Sequence, residues 1–154
     1  MNQTVFLRLE QLLQAKGVQF HVSRHEPVFT SEEAASMRGT SLASGAKALI
    51  LKAGERFVML VLPADRKLDS RKAQRGLEVK SLRFATKDEL LLLTGLEPGA
   101  VPPFGSLFQL ATYLDPALAA NESINFNAGD RAISIQMRYA DFITVEQPLL
   151  IAVT

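Results

Sequence analysis

The chain opens with apolar residues at helical spacing and then passes into alternating and continuous apolar runs. The opening stripe, residues 5–13, predicts a helix that Gly17 ends. Residues 18–22 alternate between apolar and polar side chains, which is typical of a half-buried strand. Two continuous apolar runs, 48–52 and 57–62, predict a hairpin whose strands are largely buried.

Thr30 indicates the start of a helix, because Glu33 follows it at the spacing of a capping box. In that arrangement the threonine hydroxyl accepts from the backbone N–H three residues later, and the glutamate accepts from the threonine N–H. We therefore expect a helix from about Ser31. Its inward side chains should be the apolar ones, Ala34, Ala35 and Met37.

The middle of the chain predicts a helix, a strand and a further helix. Residues 65–76 have the pattern of a short helix with Asp69 as its N-cap, and residues 79–85 favour a strand. Thr86 begins a second capping box, so a helix over 87–93 is expected.

The last third of the chain predicts strands joined by tight turns. Residues 108–114 favour a strand, and runs 124–127 and 133–137 flank the turn Asn127-Ala128-Gly129-Asp130, which indicates a hairpin. Hairpins mixed with scattered short helices predict an α+β fold, with a mixed, mostly antiparallel β-sheet flanked by short helices.

Composition narrows the class of protein. A chain of 154 residues, of which 47% are hydrophobic, is long and apolar enough for one folded domain over residues 1–154. It has no cysteine, which excludes disulfides, thiolate metal sites and a cysteine nucleophile. No apolar run has the length of a membrane span, so a cytoplasmic protein is expected. At a net charge of +1, contact with nucleic acid must come from a local patch.

Residues 94–105 combine three glycines and three prolines within twelve positions. Proline fixes φ and lacks an N–H donor, whereas glycine tolerates positive φ, so neither a helix nor an inner strand is expected. One interpretation is a shaped loop whose free N–H groups face a ligand. The other is a rigid connection between two elements.

Conventional catalytic groups are scarce. His21 and His25 are four residues apart, but the first lies in a strand pattern, so one helical face cannot present both to a metal. No metal is expected, and both histidines are interpreted as surface or loop residues. The sequence contains neither a G-x-S-x-G elbow nor a phosphate-binding G-x-x-x-x-G-K-[ST] loop.

Positive charge is the remaining candidate chemistry. Lys47 follows the small residues 43–46 at the start of a buried strand, where an ammonium can hold a phosphate or a carbonyl oxygen, or can simply be solvated. Between residues 66 and 87, eight basic and two acidic residues leave an excess of six positive charges. The candidates for contact with a nucleic-acid backbone are Arg66, Lys67, Arg71 and Lys72. Such a charge run is also typical of a solvated face.

Four segments occur in a distinctive order. They are His25-Glu26-Pro27 with Thr30 and Ala34-Ala35, then Ala46-Lys47-Ala48-Leu49-Ile50-Leu51-Lys52, then Gly99-Ala100-Val101-Pro102-Pro103-Phe104-Gly105, and last Asn127-Ala128-Gly129. Together they resemble the YbaK/ProX family of aminoacyl-tRNA deacylases, which are related to the editing domain of prolyl-tRNA synthetases. The resemblance implies a mixed-sheet α+β fold without metal or cofactor. It also implies hydrolysis of the ester in mischarged tRNA, with an aminoacyl-tRNA synthetase as a further partner.

The resemblance also assigns site residues. Lys47 matches the family's functionally important lysine, and Gly99 and Pro103 match its G-x-x-x-P loop, whose amides lie beside the scissile ester. Further positions match those that line the amino-acid pocket in other members, namely Phe29, Thr30, Phe104, Asn127 and Gly129. The chain departs from many relatives at Pro102, where they carry threonine. It also lacks the late-hairpin histidine that is frequent in members acting on alanyl-tRNA.

An aminoacyl ester is already activated, so its hydrolysis needs no strong nucleophile from the protein. We expect Lys47 to anchor the terminal phosphate or the acyl end, and amides of the Gly99 loop to support the oxyanion. A water oriented by the tRNA's own ribose hydroxyl would then attack. The rival hypothesis is a non-catalytic module that binds tRNA, a nucleotide or a synthetase. The amino acid, the tRNA and the oligomeric state stay open.

Overall fold

A computed structural model describes residues 4–154 of the chain. Within that range the helices are α1 Val5–Ala15, α2 Ser31–Arg38, α3 Ser70–Leu77, α4 Lys87–Thr94 and α5 Tyr139–Glu146. The strands are β1 Phe20–Arg24, β2 Ala46–Ala53, β3 Arg56–Pro63, β4 Leu82–Phe84, β5 Ala111–Leu114, β6 Ser123–Asn127, β7 Ile133–Arg138 and β8 Leu149–Leu150. Short 3₁₀ turns lie at Leu42–Ser44, Gly105–Phe108 and Pro116–Ala120. None of the helices in this range is long and apolar enough to cross a membrane.

The strands form two sheets. Strands β1, β7 and β6 make an antiparallel three-stranded sheet. The other sheet has the order β4-β2-β3-β5-β8, in which β2 pairs antiparallel with β3 and β4, while the β3–β5 and β5–β8 pairs are parallel. A bridge between Gly45 and Asn125 joins the sheets beside the start of β2. The α+β fold with mixed, mostly antiparallel pairing is confirmed, with its strands divided between two sheets.

Strand β3 is buried on both faces. Residues 58–62 are fully buried, which explains why this run is apolar without alternation. Helix α3 covers one face of the five-stranded sheet. The other face contacts the larger core, in which Phe104 packs edge-to-face against Phe126 and Phe142, with ring centroids 5.6 and 5.2 Å apart.

Both threonine caps form where they are predicted. Thr86 and Glu89 make the two reciprocal bonds of a capping box at the start of α4. At α2 the Thr30 hydroxyl accepts from the Glu33 N–H at 3.0 Å, but the Glu33 carboxylate accepts from the N–H of Phe29, at 3.2 Å. The helix therefore begins as predicted, with only half of the expected box.

Three predicted strands begin later than their apolar patterns indicate. Strand β4 begins at Leu82 and not at residue 79, because the Val79 N–H still bonds to the Gln74 carbonyl and closes α3. Strand β1 begins at Phe20 and not at residue 18, because the Val18 N–H still bonds to the Leu13 carbonyl and closes α1. Strand β5 begins at Ala111 and not at residue 108, because residues 105–108 form a 3₁₀ turn. Hydrophobicity alone does not show where a turn ends and the following strand begins.

Candidate functional site

A cavity of about 220 Å³ opens where α2, the start of β2 and the loop around residue 99 meet. Strand β2 contributes Lys47, and the loop contributes Gly99 and Val101. The end of β6 contributes Asn127, and Arg131 follows from the turn into β7. The lysine and the glycine–proline segment, which the sequence singled out separately, therefore lie on one cavity.

Lys47 presents a half-buried ammonium to this cavity. Its Nζ donates to the backbone carbonyl of Arg66 at 3.2 Å. Burial lowers the pKa of Lys47, Glu32 raises it, and Lys67 lowers it further. Among residues 4–154, the ion pair with an N–O distance within 4 Å joins Arg83 and Glu89. No carboxylate in this range therefore bonds directly to the Lys47 ammonium. The remaining N–H donors of Lys47 are available to an anionic or carbonyl oxygen.

The end of β6 and the turn that follows it hold three successive carbonyls of the loop. Arg131 Nη2 donates to the Pro98 carbonyl, and Asn127 Nδ2 donates to the Gly99 carbonyl at 2.7 Å. The backbone N–H of Gly129 donates to the next carbonyl, at 2.8 Å. Gly99 itself has φ +88°, a left-handed conformation that favours glycine.

Two amide groups of the same loop remain open. Within the described residues 4–154, the N–H groups of Gly99 and Val101 make no hydrogen bond. Each belongs to a planar trans peptide whose carbonyl, from Pro98 or Ala100, is held by the β6–β7 turn. Fixing those carbonyls also fixes the directions of the two N–H groups. The loop therefore carries oriented, unpaired donors.

Arg38 belongs to the site, although no sequence motif identified it. Its Nε donates to Ser134 Oγ at 2.8 Å and its Nη2 to Asn127 Oδ1 at 2.9 Å, and burial lowers its pKa to about 10. Its position one helical turn after Ala34 could have indicated an inward direction. The prediction that Met37 points inward is wrong: that side chain is 48% exposed, because the Ala34–Arg38 row faces the protein.

Two further predicted residues stand at the rim. The Phe29 side chain is 69% exposed, and the Arg131 guanidinium carbon lies 5.0 Å from its ring centroid. Thr30 lines the cavity while its hydroxyl caps α2. The structure therefore brings both residues to the cavity, with Phe29 free to contact a ligand from the solvent side.

The described part of the chain does not place every predicted site residue on the cavity. Those outside its lining are Pro103, Phe104 and Gly129. Phe104 is fully buried between two other core rings, so its ring has no surface that a ligand can reach. Gly129 has φ +86°, and a Cβ there would lie 3.1 Å from the Phe6 nitrogen. These residues shape the loop and its turn from behind. Pro102 is likewise outside the lining.

Exposed basic side chains continue from the cavity mouth onto α3. We call Arg66, Lys67, Arg71 and Lys72 the basic strip, and all four are exposed. The first two follow β3 beside Lys47. The other two lie in the first turn of α3, where Asp69 caps the helix by accepting from both of their N–H groups at 3.1 Å.

The histidines are not gathered with other ligand side chains. His25 lies with its Nε2 at 2.8 Å from Ser134 Oγ and its Nδ1 at 2.8 Å from the Glu26 carbonyl. No group of three or more histidine, aspartate or glutamate side chains that could hold a metal ion occurs between residues 4 and 154.

Comparison with known proteins gives a consistent result. Residues 25–145 match the family model described as the aminoacyl-tRNA editing domain. The multifunctional Ser/Thr-tRNA deacylase ProXp-y of Escherichia coli K12 is 36% identical over 94% of this chain and 89% of its own length. The prolyl-tRNA editing protein ProX of Acetoanaerobium sticklandii is 26% identical over 91% and 87%. The crystal structure of a candidate trans-editing enzyme for prolyl tRNA synthetase has the same fold, with a TM-score of 0.85, 22% identity, and coverage of 100% and 99%.

Proposed function

The chain belongs to the aminoacyl-tRNA editing domain family, and from this premise we propose that it is a trans-editing hydrolase that deacylates mischarged aminoacyl-tRNA. One observation carries the proposal at the level of residues. Lys47 lines the same cavity as Gly99 and Val101, whose N–H groups have no hydrogen-bond partner among residues 4–154. A cytoplasmic location and contact with an aminoacyl-tRNA synthetase are part of the same proposal.

The reaction is the addition of water to the ester carbonyl. The bond between the acyl carbon and the ribose oxygen then breaks, which releases the free amino acid and leaves a hydroxyl on the tRNA. Negative charge develops on the former carbonyl oxygen, and the amides of Gly99 and Val101 are our candidates for its donors. A well-placed donor of this kind lowers the activation free energy by about 3–4 kcal/mol.

We assign Lys47 to the phosphate of the terminal nucleotide or to the acyl oxygen. Within the described residues, the cavity lining includes no carboxylate and no imidazole. The absence of a carboxylate or imidazole base supports the hypothesis that the tRNA's own ribose hydroxyl orients the attacking water. The protein then supplies position and electrostatic stabilisation.

The basic strip gives the tRNA a path away from the cavity. Its first members adjoin Lys47, and its later members extend along α3. We propose that these side chains contact backbone phosphates, which fix the position of the acceptor end without reading its sequence.

Small amino acids are the proposed substrates. The cavity measures about 220 Å³, and alanines at positions 34, 35, 46 and 48 contribute to its walls. The E. coli relative is named for action on Ser/Thr-tRNA, which supports side chains of that size. Discrimination by size alone is weak, because one methylene is worth only about 1–3 kcal/mol. We therefore expect activity toward more than one small residue.

Deacylation of a panel of mischarged tRNAs tests the proposal. We expect wild-type protein to release small amino acids and Lys47→Ala to lose about a hundredfold in rate, comparable to removing one oxyanion donor. Lys16→Ala, which removes an exposed lysine at the end of α1, is the matched control and should keep wild-type activity. Full activity of Lys47→Ala would remove this lysine from the mechanism.

The same panel decides the rival hypothesis. A non-catalytic module would bind tRNA in a salt-dependent way without releasing any amino acid. The proline at position 102 is the best support for that alternative. Because Pro102 is not part of the cavity lining within the described chain, its missing hydroxyl and N–H do not remove a group from the cavity wall.

A further inference from the structure

A continuous chain of hydrogen bonds links α2 to the glycine–proline loop. Arg38 lies at its centre, donating to Ser134 Oγ at 2.8 Å and to Asn127 Oδ1 at 2.9 Å. Asn127 Nδ2 donates in turn to the Gly99 carbonyl at 2.7 Å. His25 Nε2 lies 2.8 Å from the same serine hydroxyl. One guanidinium thus joins segments that lie as far as 96 positions apart in sequence.

We propose that Arg38 is a positioning residue for ester hydrolysis, which orients Asn127 and through it holds the Gly99 loop in its donor geometry. The catalytic part of this inference rests on the proposed function. The structural part does not, because it concerns the conformation of the loop in the free protein.

The physical reason lies in the Asn127 carboxamide. This group can be turned either way, and its two ends have opposite hydrogen-bonding character. A guanidinium only donates, so Arg38 requires the carboxamide oxygen to face it. The NH₂ end is then directed at the Gly99 carbonyl. Without Arg38 the carboxamide can turn over. Its Oδ1 would then face the Gly99 carbonyl oxygen, and the hydrogen bond that holds the loop would be lost.

The burial and charge of Arg38 agree with a positioning role. Its guanidinium is largely withdrawn from water, and the ion pair found between residues 4 and 154 involves Arg83 and Glu89. Burying a charge without an opposite charge is costly. Neutral side-chain oxygens of Ser134 and Asn127 are its hydrogen-bond partners. Such an arrangement costs free energy that packing alone does not explain. It does fix the orientation of the neighbouring Asn127 amide.

Single-turnover deacylation with Arg38→Met, Arg38→Lys, Asn127→Asp and the double variant Arg38→Met/Asn127→Asp tests the inference. Arg38→Met and Asn127→Asp should each lower the maximal rate constant by about tenfold to a hundredfold, since small misplacements of catalytic groups have effects of that size. The enzyme concentration at half-maximal rate should change by less than about threefold, because uniform binding is retained. Arg38→Lys, which still only donates, should keep more of the rate than Arg38→Met.

The double variant separates a shared pathway from two independent defects. If both residues act through the Gly99 loop, the double variant should lose little more than the worse single variant. A loss equal to the product of the single losses would overturn the inference. Arg138→Met, which removes an exposed arginine at the end of β7, is the matched control and should keep the wild-type rate.

Amide NMR provides a readout that does not depend on turnover. The Gly99 and Val101 resonances should move in Arg38→Met and Asn127→Asp but not in Arg138→Met. If wild-type protein releases no amino acid, the proposed function fails while these resonances still decide the positioning role. Should Arg38→Met not fold, Arg38→Lys and Asn127→Asp, which nearly preserve side-chain volume, carry the test. Unmoved Gly99 and Val101 resonances together with a wild-type rate would overturn the inference.

Discussion

Gly99 shows how much of the site depends on a single backbone position. Its φ of +88° is one that side-chain-bearing residues rarely adopt. A Cβ at this position would also lie 3.2 Å from the Arg131 guanidinium carbon, which is tighter than an ordinary contact. A substitution therefore disturbs both the loop and the arginine that holds the preceding carbonyl.

Gly99→Ala should lower deacylation by at least tenfold, because it displaces the amides that we assign to the oxyanion. It should also cost about 1–2 kcal/mol of unfolding free energy from the positive φ. Gly17→Ala is the matched control: Gly17 has φ +68°, and a Cβ added there would have no atom within 4 Å, so it carries the backbone strain without touching the site. Rate assays and urea unfolding of both variants check this prediction. Equal activity of the two variants would contradict it.

At the residue scale, the sequence predicts individual positions only where local chemistry is sufficient. Lys47 and Gly99 stand out because a lysine before a buried run and a glycine among prolines are locally unusual. Arg38 does not stand out, because its partners Ser134 and Asn127 are about 90 positions away in sequence. Phe104 is expected in the pocket, yet in an irregular loop no periodicity tells which side chains face the core.

At the scale of elements, helix starts are the most predictable features, since their signals lie within four residues. Thr86, Glu89 and Asp69 illustrate this, because each caps the helix predicted from it. Glu89 does more than close the box: Arg83 donates to both of its carboxylate oxygens, at 2.8 and 3.0 Å. The start of α4 is thereby tied to strand β4.

Glu89→Gln should weaken the dependence of stability on acid pH. The Arg83 hydrogen bond, aided by the Thr86 backbone, lowers the pKa of Glu89 to about 2. A carboxyl whose pKa is lower in the folded state stabilises the fold above its unfolded value near 4.5, and this contribution is lost as the pH falls through about 2. Urea unfolding between pH 2 and 6 should therefore show a smaller fall for Glu89→Gln than for wild type.

The control for this experiment is Glu55→Gln, which removes an exposed carboxylate from the β2–β3 turn. It should follow the wild-type pH profile more closely than Glu89→Gln does. Identical profiles for Glu89→Gln and wild type would show that the ion pair does not contribute to the fold.

At the scale of the whole molecule, the distribution of charge matters more than its total. A net charge of +1 gives no general attraction to nucleic acid, whereas the basic strip concentrates four exposed cations on one segment that begins beside Lys47. The surface is therefore suited to receive one end of a polyanion in one place.

Arg71→Gln/Lys72→Gln should weaken tRNA binding and reduce its salt dependence. Two lost phosphate contacts should lower the slope of log K against log salt by about 1.4–1.8. The single-turnover rate at saturating enzyme should be unchanged, because neither residue lines the cavity. Lys16→Gln/Arg138→Gln, with two exposed cations outside the strip, is the matched control. A binding titration at several salt concentrations checks the slopes, and equal slopes would contradict the assignment.

The division into two sheets was beyond the reach of sequence patterns. Apolar alternation predicts strands and hairpins, and both hairpins, β2–β3 and β6–β7, form. Which strands join across the molecule depends on contacts between distant segments, such as the parallel pairing of β3 with β5. Local periodicity contains no information on such pairings, so the sequence predicts one mixed sheet.

The burial of β3 on both faces has a consequence for how this scaffold can diverge. One side of the cavity is built on β2, which is anchored along its length to that central strand. The opposite side consists of a short helix and a hairpin turn, each touching solvent. New specificities should therefore arise by changing residues of α2 and the β6–β7 turn, while β2, which carries Lys47, stays constant.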